Sequence, residues 1–194
     1  MGDLTIRLAA ISDVPALREL MNLSIAELLK PFLSPAQIEA SYEVMGLDTQ
    51  LIEDGTYFVV KESGAIAGCG GWSRRATLFG GNHSKGRDAA LLDPKKDAAR
   101  VRAMYTHPAF ARRGVGRMIL NASERAAASE GFSRVELAAT AGGEPLYVAC
   151  GYAPISRFQS GPDDLVPMCL MGKTIRGEMR SCSSFARAGF VPPE

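Results

Sequence analysis

The residues best suited to chemistry lie between Tyr105 and Arg117, where the chain reads Tyr-Thr-His-Pro-Ala-Phe-Ala-Arg-Arg-Gly-Val-Gly-Arg. Glycines at 114 and 116 let a bulky anion approach the main chain, and Arg112, Arg113 and Arg117 add side-chain charge around it. Two flanking elements must aim those amides. Upstream, Val101-Arg102-Ala103-Met104-Tyr105-Thr106 reads as a strand, and Pro108, which lacks an N–H, ends it. Downstream, Val115, Met118, Ile119, Ala122 and Ala126 recur at helical spacing, Glu124, Arg125 and Glu130 are polar, and Gly131 sits where a C-terminal cap belongs. The N–H groups of roughly residues 112 to 117 have no intrahelical acceptor, and the helix dipole adds partial positive charge there. A phosphate-bearing ligand suits such a cradle, although an ordinary turn before an amphipathic helix has the same look.

A second block narrows the reading. After an apolar strand at Val135-Glu136-Leu137 comes Ala-Ala-Thr-Ala-Gly-Gly-Glu-Pro-Leu-Tyr-Val-Ala-Cys-Gly-Tyr, from Ala138 to Tyr152. Taken in order, the two blocks resemble the acetyl-CoA binding motif and the following strand–helix of the GNAT superfamily of N-acetyltransferases. That family's first block commonly opens with Arg or Gln, where this chain has Ala111. An amide cradle from Arg112 to Arg117 needs no particular side chain at 111. The second block often begins with Asn and runs through a Tyr to a Gly-aromatic pair. Thr140 stands in the Asn position, and Tyr147, Gly151 and Tyr152 match.

The resemblance extends over about residues 4 to 173 and implies an α/β (α+β) GNAT fold. This is a central mixed, mostly antiparallel sheet of about seven strands flanked by about four to five helices. The remaining sequence suits that order. Thr5-Ile6-Arg7 reads as a first strand. Ser12-Asp13-Val14-Pro15 opens a helix with Leu17, Leu20 and Met21 on one face. Ser34-Pro35-Ala36-Gln37 opens another, with Ser as cap, Pro at the first helical position and Gln completing a capping box. Tyr57–Val60 and Ala65–Gly70 read as a hairpin around Glu62-Ser63-Gly64. Ile155–Phe158 and Val166–Met171 read as a closing pair of strands. Residues 1–173 are expected to form one domain and 174–194 a C-terminal tail. The longest loop-like stretch, within residues 80–98, is a candidate lid.

With 194 residues, 46% hydrophobic and 7% aromatic, the chain can bury one substantial core. A formal net charge of +1 gives no global field to recruit nucleic acid or an anionic membrane. The first residues lack the organisation of a signal peptide, and no apolar run approaches the roughly 20 residues of a membrane helix. A cytoplasmic location is therefore expected. Cys69, Cys150, Cys169 and Cys182 have no CxxC spacing and sit among apolar neighbours, so they read as reduced packing thiols; no metal is expected.

What the resemblance implies for chemistry is acetyl transfer from acetyl-CoA to a primary amine by direct attack in a ternary complex. The acceptor would be a small molecule or a protein amine, and a homodimer is admissible. Arg112, Arg113, Gly114, Val115, Gly116 and Arg117 would hold the pyrophosphate. The backbone of Met104, Tyr105 and Thr106 would align the pantetheine arm, an amide near Met104 or Tyr105 would meet the acetyl oxygen, and Thr140 would complete the cofactor site. Tyr147 matches the family's frequent general acid beside the thioester sulfur. A free phenol has a pKa of about 10 and a thiol about 8.5, so full proton transfer to thiolate is uphill by roughly 2 kcal/mol. Tyr147 is better described as a hydrogen-bond donor to the developing thiolate.

The base is less visible. Val101 to His107 contains no Asp or Glu, His107 sits at the strand exit, and His83 falls in the candidate lid. Trp72-Ser73-Arg74-Arg75 could line an acceptor site or form a strand with a solvated basic end. Glu27, Leu28, Phe32 and Tyr42 belong to the helices that wall the acceptor cleft in the superfamily. A CoA-binding module that has lost catalysis is the alternative from another class, and retention of Tyr147 argues against it. A dinucleotide-binding Rossmann domain is disfavoured because the turn falls mid-chain and lacks a third glycine at the required spacing.

Overall fold

A computed structural model describes residues 2–175. Seven strands form one sheet: β1 (Leu4–Leu8), β2 (Tyr57–Glu62), β3 (Ala65–Ser73), β4 (Ala99–Thr106), β5 (Arg134–Thr140), β6 (Ala153–Ser160) and β7 (Val166–Thr174), in the order β1-β2-β3-β4-β5-β7-β6. Every neighbouring pair is antiparallel except β4 and β5. The helices are α1 (Val14–Leu28), α2 (Pro35–Val44), α3 (Thr49–Glu53), α4 (Val115–Ser129) and α5 (Glu144–Ala149). The expected mixed sheet flanked by about four to five helices is therefore what the described residues form, with five.

Local chemistry sets most boundaries. Ser34 and Gln37 make the reciprocal capping box that opens α2, and Pro35 sits in its first turn. Ser63 and Gly64 both take positive φ, 48° and 87°, as a tight β2–β3 turn whose twist matches the strands demands. Helix α4 ends on Gly131 at φ 93°, with the Phe132 N–H donating to the Ala127 carbonyl and the Gly131 N–H to that of Ala128, a Schellman closure. Strand β3 runs on to Ser73, beyond the Gly70 end read from sequence. The five-residue α3, opened by Asp48, is an element the sequence reading does not contain.

Helices cover both faces of the sheet. On one, Leu17, Leu20 and Ile25 of α1 pack with Leu51, Tyr57, Val59 and Tyr105. On the other, Leu120 and Ala127 of α4 pack with Trp72, Val101, Phe132, Leu137 and Met171. Thr174 is the last residue of β7, and Ile175 is buried with its N–H donating to the Ser133 carbonyl, so both belong to the domain. The remainder of the expected tail, and Cys182, lie outside the described residues.

Candidate active site

Strands β4 and β5 pair only at Ala99–Val135 and Arg100–Glu136, and then separate. The cause lies in β4. Cys69 of β3 faces Tyr105 while Gly71 faces Arg102, so β4 carries one extra residue in this interval, and Ala103 takes φ 51°. That is a β-bulge, which bends its strand and re-aims the residues after it. The Tyr57 hydroxyl donates to the Ala103 carbonyl at 2.7 Å. Gly70 makes room for the displaced Met104: a Cβ at 70 would lie 2.7 Å from Met104 Cγ.

Between the splayed strands lies a cleft lined from both β4 and β5. Of the residues singled out in sequence, it brings together Met104, Tyr105, Thr140 and Tyr147. Thr106 follows on the same strand. The His107 N–H donates to the Ala67 carbonyl of the β3 hairpin, so alternation turns the backbone groups of Thr106 and Met104 to the unpaired edge. Tyr105 is buried, and its hydroxyl donates to the Gly46 carbonyl at 3.1 Å, which ties β4 to the end of α2; burial pushes its phenol well above the ordinary range.

Beyond the end of β4, Arg112 at φ 64° and Gly114 at φ 87° turn the chain into α4. The first bond onto the helix is from the Met118 N–H to the Gly114 carbonyl. Among the described residues, the N–H groups of Gly114, Val115, Gly116 and Arg117 have no acceptor in the protein. Gly114 has open space where a Cβ would stand, whereas a Cβ on Gly116 would lie 2.6 Å from Leu146 Cδ2 of α5. The glycine at 116 thus lets α5 pack closely onto α4, a use of its missing side chain that the sequence did not announce. Arg113 also departs from the expected ring of free charge. Its guanidinium bonds Glu62 at 2.5 Å and lies over the Phe110 ring, tying the turn to β2. Arg112 and Arg117 are exposed beside the turn.

Helix α5 carries Tyr147 to the cleft. Its C-terminus repeats the Schellman closure: Gly151 at φ 88°, the Tyr152 N–H on the Tyr147 carbonyl and the Gly151 N–H on that of Val148. The Tyr147 ring meets Tyr152 edge-on with centroids 5.9 Å apart and leans on Gly143, where a Cβ would stand 2.9 Å from Tyr147 Cε2. Tyr147 is 9% exposed, and among the described residues its hydroxyl has no hydrogen-bond partner. Burial, with Cys150 as a lesser cause, pushes its phenol up to about 12.

No Asp, Glu or His is among the residues lining the cleft. His107 Nδ1 accepts from the Ala109 N–H as a cap on the turn after β4, and exposed His83 meets the Glu43 carbonyl. Trp72 is buried against Phe132 on the α4 side, Arg74 pairs with Glu130 and Arg75 with Asp54, so this run does not line the cleft. Neither do Glu27, Leu28, Phe32 and Tyr42; the wall on the α2 side is built by Val44–Gly46. The excursion after β3 is held down by backbone bonds from Ala76 to Ala90 and Thr77 to Asp88, and its Leu78–Gly80 segment forms part of the cleft wall.

Sequence reasoning missed Asp48, Arg87 and Arg102. Asp48 is fully buried, caps α3 through the Gln50 N–H, and receives Arg87 at 2.6 Å and Arg102 at 2.7 Å. The cap was readable, since Asp before Thr-Gln-Leu-Ile fits a helix start. Its partner Arg102 lies 54 residues away, and nothing local announces it.

The sheet is thus splayed beside a bulged strand, next to a helix N-terminus with free amides, an arrangement open to an extended ligand with an anionic end. The chain belongs to the GNAT acetyltransferase family, whose model matches residues 19–152. It is accordingly an acyltransferase. No curated protein matches it in sequence. Solved structures with the same fold include a GCN5-related N-acetyltransferase from Rhodopseudomonas palustris (18% identity, TM-score 0.67, covering 90% of this chain and 98% of that one). PaiA N-acetyltransferase from Thermoplasma acidophilum, in complex with coenzyme A, is 14% identical with TM-score 0.61, covering 89% and 99%. The protein yncA from Salmonella typhimurium, with its cofactor acetyl-CoA, is 18% identical with TM-score 0.59, covering 88% and 93%. Among the described residues, no cluster of His, Cys, Asp and Glu could hold a metal ion, and no helix is long and apolar enough to cross a membrane.

Proposed function

We propose that this protein transfers the acetyl group of acetyl-CoA to the nitrogen of a primary amine, by direct attack while both substrates are bound. The observation that carries the reading is Tyr147, its hydroxyl unpartnered among the described residues, lining the same cleft as the freed edge of β4. The amides of Gly114, Val115, Gly116 and Arg117 hold the pyrophosphate, with Arg112 and Arg117 beside it. The unpaired edge at Met104 and Thr106 aligns the pantetheine arm, Tyr105 fixes that strand to α2, and Thr140 lines the opposite wall.

The Met104 amide donates to the acetyl oxygen as it gains charge. The amine nitrogen bonds the carbonyl carbon, the C–S bond breaks, and the nitrogen gives up a proton to water. Tyr147 donates to the leaving thiolate. With its phenol pushed up to about 12, complete proton transfer to sulfur is more uphill than for a free tyrosine, so it acts as a donor throughout. Free Cys69, Cys150 and Cys169 accord with a cytoplasmic setting.

Thiol release from acetyl-CoA, measured against polyamines, amino acids, aminoglycosides and lysine peptides, tests the proposal. Acceptor-dependent release supports it. CoA binding without release from any acceptor would leave a binding module of the same fold.

A further inference from the structure

Arg102 is the one charged side chain among the described residues lining the cleft. Its side chain is 2% exposed. One terminal nitrogen donates to Asp48, the other donates to the Gly80 carbonyl at 2.9 Å, and the buried Nε has no partner. Arg102 also lines a second cavity, together with Asp48, Arg75 and Arg87 among others. Asp48 is shared between Arg102 and Arg87, and Arg75 is held by Asp54 at 2.7 and 2.8 Å. Two guanidinium groups, of Arg102 and Arg87, thus share one carboxylate, while Arg75 and Asp54 form a separate pair beside them. Arg102, the end of this set that lines the cleft, is screened little by water, whereas Arg87 and Arg75 keep 30% and 26% of their side chains exposed.

Such a floor discriminates among amines. A polyamine would bring a second cation against Arg102 with no lining carboxylate to receive it. An acceptor bearing its own anion would place that group against the guanidinium and offer the free Nε–H an acceptor. The same positive charge favours the neutral form of an incoming amine, the form that attacks, which suits a cleft without a side-chain base.

Resting on the acetyl-transfer reading above, we infer that the acceptor is an amino-acid-like molecule, with a carboxylate a few bonds from the reacting amine, and that Arg102 recognises the carboxylate. The primary test needs no variant: kcat/KM of the full chain for phenylalanine against phenethylamine, and for leucine against isoamylamine. A preference of tenfold or more for the amino acids is expected, and equal or greater use of the plain amines overturns the inference. Arg102→Lys keeps the charge but loses the Nε–H and the planar fork. It should raise KM for the amino acids about tenfold and leave KM for acetyl-CoA unchanged; unaltered acceptor KM counts against the site. If neither class of amine is acetylated, the transfer reading fails separately, and titration of the CoA-loaded protein with N-acetylphenylalanine decides the anion site. Binding that weakens about tenfold in R102K sustains it, and absence of binding to the unmodified chain overturns it.

Discussion

Replacing Tyr147 with Phe removes one oxygen atom and little else. The ring keeps its edge-on contact with Tyr152 and its seat against Gly143. Among the described residues the hydroxyl bonds nothing, so its loss leaves no orphaned partner, and stability should change by less than about 1 kcal/mol. The kinetic effect should be larger. A hydrogen bond to a group that becomes charged contributes about 1.5–3 kcal/mol, which corresponds to a loss of roughly 10- to 150-fold in kcat. Because the thiolate appears only as the C–S bond breaks, KM for acetyl-CoA should hold steady. The pH dependence adds a second constraint. A phenol donates below its pKa, and with that value raised to about 12 the donor persists through about pH 10, being lost only as pH approaches 12. Acceptor-saturated thiol release between about pH 6 and pH 10 should therefore give parallel profiles for the two proteins, that of Tyr147→Phe displaced downward. Equal turnover would remove Tyr147 from the chemistry. A descending limb near pH 8–9 that disappears in the variant would refute the argument from burial, because it would require a phenol titrating far below 12.

The two glycines of the turn should respond differently. Gly114→Ala meets no atom but must hold φ near 87°, so it should cost about 1–2 kcal/mol by urea denaturation and weaken acetyl-CoA binding. Gly116→Ala drives a methyl to 2.6 Å from Leu146 Cδ2; it should cost about 1–3 kcal/mol and, by displacing α5 and Tyr147, lower kcat. Asp48→Ala strands the buried Arg102 without its carboxylate and should destabilise the fold by about 3–5 kcal/mol, read as a marked fall in Tm. Arg7, bonded to Asp13 through both carboxylate oxygens at 2.7 Å, holds that carboxyl down to about 2. Its ordinary value is 3.8, so the stability it contributes is fully present above that value and is lost as pH falls through 2. The difference between the unmodified chain and Asp13→Asn should therefore be present at neutral pH and vanish toward pH 2.

Most element boundaries were legible because their causes are local. Ser34 and Gln37 stand within one helical turn, Ser63 and Gly64 are the two turn residues themselves, and Gly131 needs only the last turn of α4 to close it. Features that depend on remote partners were not. The five residues of α3 are too few to show a period. Nothing around Ala103 announces its positive φ, which is held by Tyr57 from 46 residues away. Gly116 reads in sequence as an opening for ligand beside its arginine neighbours, and only the arrival of Leu146 shows that its missing side chain lets α5 pack closely onto α4. Arg113 looked free because Glu62 is 51 residues distant.

By itself the sequence determined the run of unpaired amides at the start of α4 and, through the second block and its resemblance, the family. A cradle of unpaired amides is made by a few consecutive residues, and its strand, turn and helix signals all fall within that window. The tertiary structure alone decided the cleft, the unoccupied hydrogen-bonding capacity of Tyr147 and the buried charge of Arg102. Each of these is a relation between chain segments far apart in sequence: a bulge that parts β4 from β5, a helix end that carries a phenol to the gap, and an aspartate that draws two arginines beneath it. Register and burial create such relations, and only the packed chain possesses them.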